Sequence, residues 1–191
     1  AMNAVVVQGD VSRDEDCKKK KIIDNKRLVS EKTNTAYQQQ FRNLFMALNS
    51  SPDYTEWMDI YKKLVYWELE MEKSESPEMR EIQQSQKQEA NTEFFKFISK
   101  NYASWINAKT TDVPVMSHNL FKYKVLPNIE KGTPTFFIII DNLRYDQWKT
   151  IQPIFAETFR ILEEDTFYSI LPTATQYCRN AICAGLLPLE I

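Results

Sequence analysis

The chain has 191 residues, 43% of them apolar and 26% charged, an ordinary globular balance rather than a disordered one, which fits one or two domains with a real core. Its three glycines (Gly9, Gly132 and Gly185) lie too far apart for a dinucleotide fingerprint or a P-loop, and the single His118 excludes any site that needs two histidines from this chain. A formal net charge of −2 and a pI near 5.6 give no basis for general nucleic-acid binding.

Three cysteines (Cys17, Cys178 and Cys183) with no CxxC spacing suit a reducing compartment rather than a disulfide framework. No apolar run reaches membrane-spanning length and no signal-peptide pattern opens the chain, so a soluble cytoplasmic protein without membrane contact is expected. Residues 1–16 form an unassigned N-terminal extension in which Val5-Val6-Val7 could be a strand. The lysine run Lys18 to Lys21 reads as the solvated start of a helix.

Residues 17–110 carry successive helical signals and predict an antiparallel bundle of long helices. Ile22, Ile23, Leu28 and Val29 lead into Tyr37, Phe41, Leu44, Phe45 and Leu48, a single helical face. Ser50-Ser51-Pro52-Asp53 ends that helix and starts the next. There Trp57, Ile60, Leu64, Trp67 and Met71 follow steps of three and four, a heptad seam able to dimerise, with Glu68, Glu70, Glu72 and Lys73 as its wet side. Ser76-Pro77-Glu78 supplies an N-cap, a first-turn proline and a first-turn acid for a third helix. Met79, Ile82, Phe94, Phe97, Ile98 and Trp105 are its expected core, and the polar stretch Gln83 to Glu89 is expected to project beyond it. Trp57, Tyr61, Tyr66, Trp67, Phe94, Phe95, Phe97 and Trp105 read as core at helical spacing rather than a stacking platform for nucleic acid.

Helical signals continue to residue 131, and the chain changes character near residue 132. Ser117 is expected to cap a short helix running to about Glu130, with Leu120, Phe121, Val125 and Leu126 as its apolar side, a kink at Pro127 and a stop at Gly132. His118 beside that cap is expected to be exposed or capping. Thr135 to Ile140 is a continuous β-rich apolar run of the kind found in buried parallel strands. A crossover helix from Arg144 to about Thr158, a second strand near Thr166 to Ile170, a turn at Pro172 to Thr175 and a helix from Gln176 to Leu186 would follow. The fold class is thus an α-helical bundle followed by the start of an α/β domain.

Asp141 follows the first strand, where ligands of open α/β sheets bind, and suits either a metal ligand or a cap for the next helix. Asp146 suits an ion pair with Arg144. Thr173 and Thr175 stand before a helix, where a hydroxyl either caps the N-terminus or, beside a metal, becomes a nucleophile toward phosphorus. Arg179, one turn after Thr175, could reach a bound phosphate or lie exposed. Cys178 and Cys183 lie on different faces and read as small core fillers.

Phe137-Ile138-Ile139-Ile140-Asp141-Asn142-Leu143-Arg144-Tyr145-Asp146 resembles the opening of PglZ domains, a branch of the alkaline phosphatase superfamily. Leu171-Pro172-Thr173-Ala174-Thr175-Gln176-Tyr177-Cys178-Arg179-Asn180 resembles its nucleophile segment. That segment also resembles the Pro-Thr-x-Thr stretch of nucleotide pyrophosphatase/phosphodiesterases, down to Gly185-Leu186-Leu187-Pro188. With Asn25 to Lys32 and the aromatic helix Tyr61 to Glu70, residues 22–191 are similar to PorX-like PglZ-domain response regulators of Bacteroidota, which govern type IX secretion.

The resemblance implies a receiver domain with its sensor kinase, a helical bundle (17–110) joining receiver to output, and the N-terminal part of a PglZ domain (111–191). It implies two zinc ions in the intact domain, Asp141 as first metal ligand, Thr175 as metal-bound nucleophile with Thr173 as the alternative, Arg179 as a phosphate contact, and a phosphodiester or oligonucleotide substrate. Cys178 stands where the pyrophosphatases place an Asn. The family's later Asp and His ligands find no counterpart here, so the chain reads as a middle piece of a longer enzyme, inactive and zinc-free by itself. The alternatives are a helical signalling or homodimerising module without catalysis, and an unrelated helical protein with a short α/β tail.

Overall fold

The computed structural model describes residues 35–73, 76–108, 112–129, 132 and 134–191. The expectations for Val5 to Val7, the lysine run, Cys17 and the apolar positions from Ile22 to Val29 fall outside the described residues.

Three long helices form the predicted bundle. The first, α1, covers residues 35–49. The second, α2, runs Tyr54–Glu72 and begins with a full capping box. Asp53 Oδ1 accepts from the amides of Thr55 and Glu56 at 2.7 and 2.9 Å, while Glu56 Oε2 accepts from the Asp53 amide at 2.8 Å. The third, α3, runs Pro77–Ile106, with Ser76 Oγ accepting from the Met79 amide as N-cap. The packing is antiparallel throughout. Tyr37 at the start of α1 meets Trp67 and Met71 at the end of α2, and Leu48 at the end of α1 shares a core with Trp57 near the start of α2. Trp57 packs edge-on against Phe94 of α3, ring centroids 5.1 Å apart, while Met71 meets Met79.

The heptad seam is entirely internal: Trp57, Ile60, Leu64, Trp67 and Met71 are all buried between α1 and α3. It is spent on the intramolecular core, so it offers no free face for a homodimer. Several expectations within the bundle are corrected. Phe45, Tyr61, Ile82 and Phe95 are exposed, Phe95 at 71%. Conversely, the polar middle of α3 does not project outward. Gln83 and Gln86 are buried, and Gln86 Nε2 donates to the Phe41 carbonyl at 3.0 Å, tying α3 to α1. An amide side chain with a backbone acceptor within reach can occupy a core position that hydropathy alone denies it.

A second core joins the bundle to the rest of the chain. Trp105, Met116, Tyr168, Ile170 and Ala181 are buried together, with Tyr54, Met58, Phe94 and Phe97 packed against them. Trp105 sits edge-on to both Tyr168 and Phe97, with centroids 5.2 and 5.5 Å away.

The connection after α3 departs from expectation. In place of a capped helix to Glu130 there is a π-helical turn Phe121–Val125 and a 3-10 turn Leu126–Asn128. Helical structure thus ends at Asn128, short of Gly132, which has a positive φ of 90°. Ser117 does not cap: fully buried, its hydroxyl accepts from the Ile170 amide at 3.1 Å. A serine facing an incoming extended segment has a longer-range partner that sequence proximity conceals.

Among the described residues there is no strand ladder; one parallel bridge, Met116 to Tyr168, is the sole β pairing. Residues 134–140 are without regular secondary structure and largely exposed. Phe136, Ile138 and Ile140 are 87, 76 and 51% exposed against 43 and 37% for Phe137 and Ile139, and Phe137 rests edge-on against Phe121. This is the period-two alternation of a strand with one side seated and no ladder partner. Residues 166–170 likewise form only the single bridge.

The two predicted helices are present: α4 at Tyr145–Thr158 and α5 at Thr175–Ala184, the latter ended by Gly185 in the left-handed region at φ 68°. Glu164 clamps α4. It accepts from Tyr145 Oη at 2.7 Å, Trp148 Nε1 at 3.0 Å, Lys149 Nζ at 2.8 and 2.9 Å and Gln152 Nε2 at 2.7 Å. Burial opposes ionisation of Glu164. The hydrogen bonds of Lys149, Tyr145 and Trp148 and the Lys149 charge outweigh it and hold the carboxyl at about 2. No helix among the described residues is long and apolar enough to cross a membrane.

Trp105→Ala should destabilise the chain by about 3–5 kcal/mol in urea unfolding, because the indole fills the core shared by bundle and C-terminal segment. Glu164, depressed below its ordinary value, contributes stability that is complete above about pH 4.5 and fades as pH falls through about 2. Glu164→Gln should therefore remove about 2–3 kcal/mol at neutral pH and flatten the stability profile across that window, read by denaturant titrations between pH 2 and 5.

Candidate functional site

The extended run delivers Asp141 to a tight turn. Asn142 adopts φ 58°, a left-handed conformation that asparagine tolerates better than branched residues, and its amide donates to Asp141 Oδ1 at 3.0 Å. Arg144 is the N-cap of α4, and its amide donates to Gln147 Oε1 at 3.0 Å. The Arg144 guanidinium grips Asp146 with two bonds of 3.0 and 2.7 Å, the ion pair expected from the sequence. That hydrogen bonding holds the Asp146 carboxyl below its ordinary range.

Thr175 is the first residue of α5, and Ala174 is the N-cap with no side-chain acceptor. Neither Thr173 nor Thr175 therefore caps the helix. The amides of Tyr177 and Cys178 both donate to the Ala174 carbonyl, at 2.9 and 3.0 Å, so helix geometry leaves those of Thr175 and Gln176 open. Thr175 Oγ1 donates to Asp141 Oδ1 across a long 3.4 Å contact. Two residues 34 positions apart thus meet at the turns ending the two extended segments.

The other candidates fall around this pair. Thr173 is exposed and two residues short of α5, and no hydrogen bond joins it to Asp141. Arg179 is exposed one turn after Thr175, and no carboxylate pairs with it among the described residues. Cys178 is half-buried, its thiol beside Ser169 Oγ at 3.1 Å and the Ile170 carbonyl at 3.5 Å. Cys183 is exposed, so only Cys178 serves as filler. His118 is neither exposed nor a cap. Its Nδ1 is buried without a partner, and burial lowers the imidazole pKa against the pull of Glu190.

Among the described residues no group of three or more His, Cys, Asp or Glu side chains converges. Asp141 and Thr175 offer one carboxylate and one hydroxyl oxygen. Their chemistry suits a divalent cation, but two donors fill only part of a tetrahedral sphere.

Several organising residues escaped the sequence reading. Tyr168 Oη donates to the Tyr54 carbonyl at 2.8 Å, and Tyr102 Oη accepts from the Leu171 amide at 2.6 Å. The donor face of α4 did carry a signal. Tyr145, Trp148, Lys149 and Gln152 follow i, i+3, i+4, i+7, a stripe of polar tips that calls for one shared acceptor. A groove of about 540 Å³, lined chiefly by Trp57, Tyr61, Phe94, Arg144, Tyr145 and Trp148, separates the bundle from α4. Neither Asp141 nor Thr175 lines it.

Comparison with known families accounts for both halves. Residues 27–106 match the PorX response regulator linker domain, and residues 120–191 match the BREX system PglZ alkaline phosphatase-like domain. No curated protein matches the chain. A linker-domain match in front and a phosphatase-like match behind it agree with the resemblance of the chain's motifs to PorX-like PglZ-domain proteins.

Proposed function

We propose that the chain is the linker and the first part of the output domain of a cytoplasmic response regulator whose output is a zinc-dependent phosphodiesterase, acting with a receiver domain and sensor kinase in the control of type IX secretion. The observation that carries the catalytic reading is the meeting of Asp141 with Thr175 at an uncapped helix N-terminus. A homodimer would have to use a surface other than the buried seam.

In this reading Asp141 and Thr175 would hold one of two zinc ions, a site that needs further donors. Bound zinc lowers the pKa of a ligated hydroxyl and withdraws charge from a phosphoryl oxygen. Asp141 orients the Thr175 hydroxyl. Thr175 Oγ would form a bond to phosphorus as the bond from phosphorus to the leaving alkoxide breaks, the hydroxyl proton leaving with that alkoxide as the alcohol; water would then add its oxygen to phosphorus, return a proton to Thr175 Oγ and release the phosphate monoester. The open amides of Thr175 and Gln176 and the start of α5 favour the negatively charged phosphoryl oxygens. Arg179, exposed and one turn along, contacts a non-bridging oxygen.

In the complete protein, assayed with zinc and a chromogenic aryl phosphodiester, Thr175→Ala should lower kcat about a thousandfold or more, while Thr173→Ala should cost under about tenfold. Arg179→Ala should raise KM more than it lowers kcat. Loss of turnover on Thr173→Ala alone would move the nucleophile to Thr173. Activity that survives both threonine variants would end the phosphodiesterase reading.

A further inference from the structure

Asp141 and Thr175 belong to the phosphatase-like segment, yet both are mounted on one helix of the linker. Tyr61 of α2 lies exposed on the flank of the seam, its ring 5.8 Å from that of Tyr145 and tilted by 44°. Tyr145 is the first residue of α4, and only three residues separate it from Asp141. Those three have little slack. Asn142 is held in a left-handed turn with its amide on Asp141, and the Arg144 amide is taken by Gln147. The α4 N-terminus and Asp141 are thus joined by a short, hydrogen-bonded turn.

The other half of the pair is fixed at the N-terminus of the same helix. Tyr168 Oη donates to the carbonyl of Tyr54, the first residue of α2. From Tyr168 the chain passes through Ile170, anchored on Ser117, and Leu171, anchored on Tyr102, to Thr175. The two attachment points on α2 are seven residues apart, about 10 Å along the axis. Next to the second of them, Lys62 Nζ lies 3.9 Å from Asp165 Oδ1. Glu164 closes the frame by joining the segment that leads to Tyr168 to successive turns of α4.

We propose that Tyr61 is a positioning residue: through its ring contact with Tyr145, the linker helix α2 holds Asp141 in register with Thr175. α2 acts as a ruler between the two halves of the candidate site. A rearrangement of the linker that slides or rotates α2 is then felt as a change in the spacing of Asp141 and Thr175. The value of that spacing as a metal site rests on the phosphodiesterase reading; the mechanical coupling does not.

Tyr61 is 45% exposed, so its loss should barely change global stability, which separates positioning from folding. Hydrogen exchange in the 191-residue chain is the direct measurement. Tyr61→Ala should speed exchange of the amides at 142–145 by about tenfold or more while those of the bundle core keep their protection. Tyr61→Phe, which keeps the ring, should restore the wild-type pattern. Unchanged exchange at 142–145 in Tyr61→Ala, or an equal effect of Tyr61→Phe, overturns the proposal.

In the complete protein, Tyr61→Ala should weaken zinc binding about fivefold or more and Tyr61→Phe by less than about twofold, with Asp141→Asn as the direct comparison. If exchange responds to Tyr61→Ala but Asp141→Asn leaves zinc affinity intact, the metal-site reading fails while the coupling stands.

Discussion

A helix presents its whole circumference to its surroundings, and α2 is used on both sides. One stripe, from Trp57 to Met71, supplies the core between α1 and α3. A second stripe, with Tyr54, Met58 and Tyr61 at intervals of four and three, faces the phosphatase-like segment. The first stripe excludes water and makes the helix rigid. The second transmits that rigidity, through the Tyr54 carbonyl and the Tyr61 ring, to the two places where the extended segments end. Without α2 as a common support, residues 141 and 175 would be joined only by the long connection through α4 and by a 3.4 Å hydrogen bond too weak to define a geometry.

The contacts that join the two halves are largely polar groups at the ends of apolar bodies. Tyr54, Tyr102, Tyr145 and Tyr168 each contribute a ring to packing, and the last three also give a hydroxyl to a hydrogen bond. A phenol suits such a junction, since it gains area-dependent stabilisation and still satisfies a buried backbone group. Glu164 shows the complementary arrangement, a single carboxylate gathering donors from two turns of α4. Half-buried charge is tolerated there because every donor within reach is directed at it.

The extended residues 134–140 and 166–170 are the part in which sequence and structure differ most usefully. Both read as strands, the first with the composition of one buried on both faces, yet Phe136 and Ile138 are mostly exposed and the described residues contain no ladder. β structure depends on a neighbour: a strand's backbone groups are satisfied only by another strand, whereas a helix satisfies its own. Alternating exposure survives because side-chain direction follows the local backbone alone.

What the sequence alone determined were the features whose physics is local. The helices α2 to α5, the proline start of α3 and the seam all follow from residue spacing and from the chemistry of the first turn. So did the identity of Asp141 and Thr175 as candidates, since strand ends and helix starts are visible in the pattern, and the family resemblance carried by the two motifs. Tertiary structure alone decided which stripe of α2 faced which partner, and that Gln86 belonged inside. It also gave Ser117 a backbone amide 53 residues away and left Thr173 out of contact while Thr175 met Asp141. Each of these depends on a donor, acceptor or ring brought near by folding, and distance along the chain carries no record of it.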